Sequence, residues 1–184
     1  GTFSAEIVVL ETRAEELGLK IDVPPLPRSK AQLTALEEHI EESFQRQQLE
    51  ELQMRAGLLN WMNAGASIRL RAKEIEDLRS KVEEQERFFR NVRDIQEEGL
   101  EIGWQVPLPE FPILEEELED LRNTLSVQQH HSKTLSGLGI RADALGWDLP
   151  KPPMPCHSGH VTGLQEELEK QEEWVALLLA AKTD

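Results

Sequence analysis

All ten prolines of this 184-residue chain lie in three short clusters, at residues 24–27, 107–112 and 150–155. Proline lacks a backbone N–H and clashes with the preceding helical turn, so each cluster has to end a helix. Each cluster opens with the same pattern: an apolar residue, any residue, Val or Leu, then Pro. The three copies are Ile21-Asp22-Val23-Pro24, Trp104-Gln105-Val106-Pro107 and Trp147-Asp148-Leu149-Pro150. The chain is therefore predicted to consist of long proline-free segments joined by stiff, apolar turns.

The proline-free segments have the apolar periodicity of amphipathic helices. The clearest helix is predicted over residues 67–98, where most apolar side chains keep heptad spacing and Gln85 is the one polar residue on the seam. Further helices are predicted over residues 4–17, from 29 onward, from 113 to 145 and from 160 to 182. Between residues 60 and 67, either a tight hairpin forms with Ser67 as the next N-cap, or one helix runs through. A break is favoured.

Two spacings indicate repeated helical units. Trp61, Trp104 and Trp147 are each separated by 43 residues, which is about one long helix plus a turn. The first and second proline clusters are 83 residues apart, which is about two helices with their connections. Self-similarity at such a period is typical of helical repeat proteins.

Charge and composition exclude several classes of function. The net charge of −15 argues against nonspecific binding of nucleic acid and against anionic membrane surfaces, since both require basic side chains. No apolar run approaches the ~18 residues of a membrane span, so no direct membrane insertion is expected. The single cysteine, Cys156, fits a reducing compartment. Gly1-Thr2, followed at once by a helical pattern, indicates a piece of a longer chain.

These features predict an all-α fold, an antiparallel bundle of long helices with proline-rich turns. Residues 1–28 are assigned to the end of a preceding helix plus its proline turn, and residues 29–146 to the long antiparallel bundle. Residues 147–159 form a proline-rich linker in this division. Residues 160–184 form a final helix that packs on the bundle or starts the next repeat.

Antiparallel helices of this length, with acidic solvated faces, resemble the spectrin-repeat superfamily. Residues 82–99, with Phe88-Phe89 at the centre and EEGLEIG at the end, look like the second helix of such a repeat. Leu118, Leu121 and Leu125 look like the third helix, and Trp61 and Trp174 like the tryptophans of successive first helices. The stretch VPLPEF at residues 106–111, followed by spaced leucines, also resembles the helical linker of multidomain histone lysine demethylases, as a weaker match.

The only cluster of metal-type ligands is Cys156-His157-Ser158-Gly159-His160, with His130-His131 upstream. A structural zinc site needs four ligands, usually as two close pairs, and this segment offers one thiol in a proline-rich stretch. A Cys156-His157 nucleophile pair lacks an orienting third residue. The acidic residues sit at solvent-facing helical positions, and no glycine-rich phosphate loop is present. No catalytic, metal or cofactor-binding residue is therefore predicted, and no cofactor.

The prolines and tryptophans have one alternative interpretation each. The P-x-x-P spacings at 24–27 and 150–155 are of the kind that aromatic grooves recognise in the polyproline II form, but turn packing is favoured. Trp61 and Trp174 are interpreted as core anchors rather than ligand stackers. Trp104 and Trp147 are expected to seal helix ends against the prolines.

The sequence thus predicts a non-enzymatic structural or scaffold segment of a larger intracellular protein, acting as a helical spacer and a protein-interaction surface. The alternative is a helical docking or linker module within a multidomain chromatin or signalling enzyme. Protein partners are expected through helix faces, with no nucleic acid. A cytoplasmic, cytoskeletal location is favoured over a nuclear one.

Overall fold

The computed structural model describes residues 3–66 and 68–183, and within those ranges the chain is all-helical, without strands. The described residues form five helices: α1 (Ser4–Glu16), α2 (Lys30–Leu58), α3 (Ala72–Glu101), α4 (Glu115–Asp143) and α5 (Ser158–Thr183). By contacts the chain divides into two compact units, Gly1–Glu86 and Arg87–Asp184, with the boundary inside α3. The all-α prediction is confirmed.

The helices begin and end where local chemistry requires. At the start of α2, Ser29 and Gln32 form a reciprocal capping box, in which each side chain bonds the backbone N–H of the other. At the start of α4, the backbone N–H of Leu114 donates to Glu117 at 3.0 Å. Acidic residues in this first turn also oppose the positive end of the helix dipole.

The chain breaks between α2 and α3, as the sequence favoured, because α2 ends at Leu58 and α3 begins at Ala72. The connection is not a tight hairpin, since more than ten residues separate the two helices. The proposed N-cap Ser67 lies outside the described residues.

Consecutive helices run parallel, so the predicted antiparallel arrangement is wrong. In unit Arg87–Asp184, the groove between α3 and α4 is lined by Asn91, Asp94 and Glu98 on one side and by Arg122, Ser126 and Gln129 on the other. Gln129 donates to Glu98 at 3.3 Å. A forward step along α3 is thus matched by an equal forward step along α4, whereas antiparallel helices would pair in the opposite sense.

The other helix pairs follow the same rule. Between α1 and α2, Arg13 pairs with Glu41, and Gln47 donates to the backbone oxygen of Leu17. The contact positions move from residue 41 to 47 in α2 as they move from residue 13 to 17 at the end of α1. The two helix axes are therefore parallel. Arg55 pairs with Glu86 and Arg141 with Glu172, both 31 residues apart, like Glu98 and Gln129. The physical cause of the wrong prediction is the length of the connections, which lets the chain return before the next helix begins.

Each hydrophobic core combines the second half of one helix, the connection after it and the first half of the next helix. In unit Gly1–Glu86 one cluster joins α1 to α2 and another joins α2 to α3. In unit Arg87–Asp184 one joins the end of α3 to α4 and another joins α4 to α5. Among the described residues, the largest fully buried side chains are Ile40, Leu52, Val82, Val92, Ile75, Ile113 and Leu168.

Candidate interaction site at the helix joints

The four helix ends share one backbone geometry, and it recurs every 42 or 43 residues. Gly18, Asn60, Gly103 and Gly146 all adopt positive φ, between 61° and 79°. Each next residue donates its N–H to the carbonyl five positions back: Leu19 to Ala14, Trp61 to Ala56, Trp104 to Gly99 and Trp147 to Ala142, at 2.8–3.0 Å. These bonds, with the one from each positive-φ residue, define the Schellman C-cap. The next helix begins twelve positions after each positive-φ residue.

We call the segments 18–29, 60–71, 103–114 and 146–157 elbows 1 to 4. Elbows 1, 3 and 4 are the three proline clusters, and each carries one cis proline, at Pro27, Pro112 and Pro155. Elbow 2 contains no proline, which is why the proline pattern does not reveal it. The residue that follows the positive-φ position packs into the adjacent core in every elbow. Trp61 therefore belongs with Trp104 and Trp147, at a helix end.

The elbows fold back along the helix that they follow. In elbow 3, Gln96 of α3 donates to the backbone oxygen of Val106 at 3.2 Å. A Cβ placed on Gly99 would lie 2.6 Å from the Val106 side chain and 2.8 Å from the Trp104 carbonyl, so the elbow lies directly on the helix. In elbow 4 the contact is seen near the end of the elbow, where Cys156 bonds Gln128 in the middle of α4.

Gln128 holds elbow 4 through both ends of its side-chain amide. Its Nε2 donates to the carbonyl oxygen of Cys156 at 3.0 Å, and its Oε1 accepts from the N–H of Cys156 at 2.8 Å. Both residues are buried. The paired bonds satisfy the extended backbone as a neighbouring β-strand would, and they fix the point at which the chain turns into α5.

The thiol of Cys156 also contacts an imidazole, that of His131. Sγ lies 3.6 Å from Nδ1, and both side chains are buried. Cys156 occupies the same elbow position as Ile113, the tenth after the positive-φ residue, which makes it part of the packed interior. The two side chains contact each other within the packed interior at the start of α5.

Of the four histidines at positions 130, 131, 157 and 160, the structure places His131 against the Cys156 thiol. His130, His157 and His160 are exposed, while His131 is buried beside Cys156. Among residues 3–66 and 68–183 no group of three or more His, Cys, Asp or Glu side chains is arranged to hold a metal ion. The sequence neighbour His157 is thus not the histidine that contacts the thiol.

Charged pairs connect successive helices at equivalent levels. The guanidinium of Arg141 pairs with both carboxylate oxygens of Glu172, with Nε to Oε2 at 3.2 Å. The hydrogen bond and charge of Glu172 raise the pKa of Arg141, and the hydrogen bond from Arg141 lowers the pKa of Glu172. Arg55 and Glu86 form the corresponding pair between α2 and α3, and the hydrogen bond from that carboxylate raises the pKa of Arg55. Such exposed pairs are screened by solvent and mainly fix the register of successive helices.

Unit Arg87–Asp184 has a groove beside elbow 4 and an exposed apolar cluster on α5. A groove of about 560 Å³ lies between α4 and elbow 4, and its lining includes Ser132, Ser136 and Gly139 of the helix and Asp148, Pro150 and Met154 of the elbow. The second half of α5 exposes Trp174, Leu177, Leu178 and Leu179, each 59–66% accessible. Trp174 is therefore not a core anchor, which corrects the sequence interpretation.

No family model, no curated protein and no solved structure matches this chain. None of the described helices is long and apolar enough to cross a membrane.

The sequence favoured a break within elbow 2, but it did not identify Asn60 as the positive-φ residue at the end of α2 or Gln128 as the residue that holds elbow 4. Signals for them were present. Asn tolerates positive φ better than most residues, and Asn60-Trp61 stands in the same place as Gly103-Trp104 and Gly146-Trp147. Gln85, Gln128 and Gln171 are spaced by 43 residues, like the tryptophans.

Proposed function

We propose that the chain is a non-enzymatic spacer within a larger protein, built from interchangeable helix–elbow units. The observation that carries the proposal is the identity of the four joints: the same C-cap, the same elbow length and the same pairing of successive helices. A spacer requires this regularity, because each unit then adds the same displacement. Repeat proteins in general combine such units through nearest-neighbour interfaces.

The contacts between side chains of successive helices show how far each helix is shifted along the one before it. Glu98 lies 26 residues beyond the start of α3, whereas its partner Gln129 lies 14 beyond the start of α4. Helix α4 is therefore advanced along α3 by about 12 residues, or roughly 18 Å at the helical rise. Arg141 and Glu172 give the same advance for α5 along α4. Equal steps at successive joints support a measuring or positioning role.

The experiment varies the number of units. Fluorescent domains are fused to both ends of the chain, and variants lacking or duplicating residues 90–132 remove or add 43 residues in phase. A spacer predicts that energy transfer between the domains changes with each unit while the fold is kept. Unchanged transfer in folded variants would contradict the proposal.

A second candidate function is a helical docking or linker module inside a multidomain chromatin or signalling enzyme. The exposed apolar side chains on α5 favour it, since a pure spacer has no need of them. Here a defined partner domain is expected to lose binding when Trp174 and Leu178 are replaced by Ala, while the Leu58→Ala variant, altered at another exposed leucine, keeps it.

A further inference from the structure

The second half of α5 differs from the equivalent parts of α3 and α4 in being uncovered. Residues 43 apart occupy equivalent positions, so Gln171, Trp174 and Leu178 correspond to Gln128, His131 and Leu135 in α4. Gln128 and His131 are buried and Leu135 is half-buried, whereas Gln171, Trp174 and Leu178 are exposed. In α3 the matching positions 85, 88 and 92 are buried or half-buried.

The covering element in α4 is the elbow that follows it. Elbow 4 packs Leu149 against Leu138 and Ala142, and its Cys156 backbone is held by Gln128. At the end of α3, elbow 3 places Trp104 and Val106 against Val92 and Ile95. In both α3 and α4, the second half of the helix is therefore covered by the elbow that follows it.

We propose that the second half of α5, from Gln171 to Ala181, is a docking site for a further helix–elbow unit of this same type. The amide of Gln171 would bind the backbone N–H and C=O of one residue in the incoming elbow, as Gln128 binds Cys156. Trp174 and Leu178 would be covered by the apolar side chains of that elbow. The inference goes beyond the spacer role, because it names the partner that α5 takes.

A second copy of the four-elbow chain is a poor occupant. Its elbows already pack against their own helices in the described clusters. The face of another helix offers no backbone pair to Gln171, since helical N–H and C=O groups bond within the helix. The site is matched by an extended segment with free backbone groups and apolar side chains, which is the chemistry of an unpaired elbow.

The test adds such an elbow in register. Residues 142–184 are appended directly after Asp184, which continues the 43-residue phase and supplies a fresh copy of elbow 4 and its helix. Hydrogen exchange of residues 171–181 is compared in the original and extended chains. We expect protection to rise by at least about tenfold in the extended chain. Gln171→Ala should reverse most of that gain in the extended chain and leave the original chain unchanged.

Two controls make the result specific. Gln165→Ala removes an exposed amide on the same helix that bonds only Glu169, and it should not reverse the gain. Appending residues 140–184 instead adds two residues and rotates the new unit by about 200°, which should abolish protection. The proposal is overturned if α5 is equally protected with and without the in-phase unit, or if protection in the original chain rises with concentration, which would identify a second copy as the occupant. Neither outcome bears on the four existing joints, so the spacer proposal is tested separately.

Discussion

Gln128 fixes the joint between α4 and α5, because its amide makes both hydrogen bonds to the backbone of Cys156 inside the core. Replacing it with Ala leaves a buried N–H and C=O without partners. We expect Gln128→Ala to lower the free energy of unfolding by about 2 kcal/mol, measured by urea denaturation. Its counterpart Gln171 is exposed and bonds only Glu167, so Gln171→Ala is the matched control, with an expected change within about 0.5 kcal/mol. Equal losses of stability in the two variants would contradict the role of the Gln128 amide in holding elbow 4.

Replacing glycine by alanine is expected to lower stability at a positive-φ helix end and to raise it inside a helix. Gly103 has φ of 79° and open space around its Cβ direction, so Gly103→Ala costs backbone strain of about 1 kcal/mol without a clash. Gly137 lies within α4, also with open space, and there Ala removes the helix penalty of glycine, gaining about 0.5–1 kcal/mol. Thermal unfolding of both variants checks the pair. Two changes of the same sign would show that the Schellman geometry is not what Gly103 provides.

Among the individual residues of a joint, the glycine cap could be predicted from the sequence, and the glutamine contact could not. Gly18 and Gly103 could be recognised as helix ends, because glycine followed by an apolar residue and a proline is a strong C-cap signal. The partnership of Gln128 with Cys156 could not be predicted. A buried glutamine on an apolar stripe shows that a polar partner exists, but its identity depends on how far the following elbow returns along the helix.

Among the elements, the pairing of α4 with α5 has a pH dependence whose direction follows from Glu172. The hydrogen bond from Arg141 lowers the pKa of Glu172 in the folded chain below that in the unfolded chain. The pair therefore stabilises α5 fully above the unfolded pKa, and the contribution is lost as pH falls through the folded pKa. We expect acid titration followed by hydrogen exchange in α5 to show this loss, and Glu172→Gln to remove it.

The control for that titration is Glu173→Gln, which deletes the same charge from the neighbouring exposed position. This variant should keep the acid-dependent loss of protection around Glu172. A carboxyl titration of Glu172 by NMR that shows a pKa raised above its usual range would contradict the ion pair.

Helix existence was predictable from the sequence, and helix direction was not. The apolar stripe of α3, with Ile75, Leu78 and Val82, is the same whether the neighbouring helix is parallel or antiparallel, because the spacing of apolar residues carries no information on helix direction. The elbow length was the available clue. Twelve extended residues span up to roughly 40 Å, enough to return along much of a long helix, whereas antiparallel neighbours need only a short loop.

Over the whole molecule, the repeat explains why one missing proline cluster did not interrupt the pattern. Elbow 2 keeps the Schellman cap through Asn60 and the core contact through Trp61, and elbow 3 provides the same two functions through Gly103 and Trp104. Prolines stiffen an elbow, but the cap and the buried residue after it define the joint. The 43-residue tryptophan spacing was therefore the more informative sequence signal.

The central claim, that parallel units are interchangeable, predicts tolerance to the removal of one unit. Deleting residues 90–132 joins Phe89 of α3 to Lys133 of α4 in the same helical phase and brings the end of α4, elbow 4 and α5 after the first half of α3. In a parallel array the following helix keeps its direction. In an antiparallel bundle the loss of one helix would invert everything that follows.

The most direct test compares this deletion with one that removes two residues fewer. Deleting residues 90–130 makes nearly the same chain but rotates the second half of the fused helix by about 200°, which turns its apolar face away from the next unit. We predict that circular dichroism with urea denaturation shows a helical, cooperatively unfolding chain for the 43-residue deletion and loss of cooperativity for the 41-residue deletion. Loss of cooperative folding in the in-phase variant, or equal stability of the two variants, would contradict the repeat of parallel helix–elbow units.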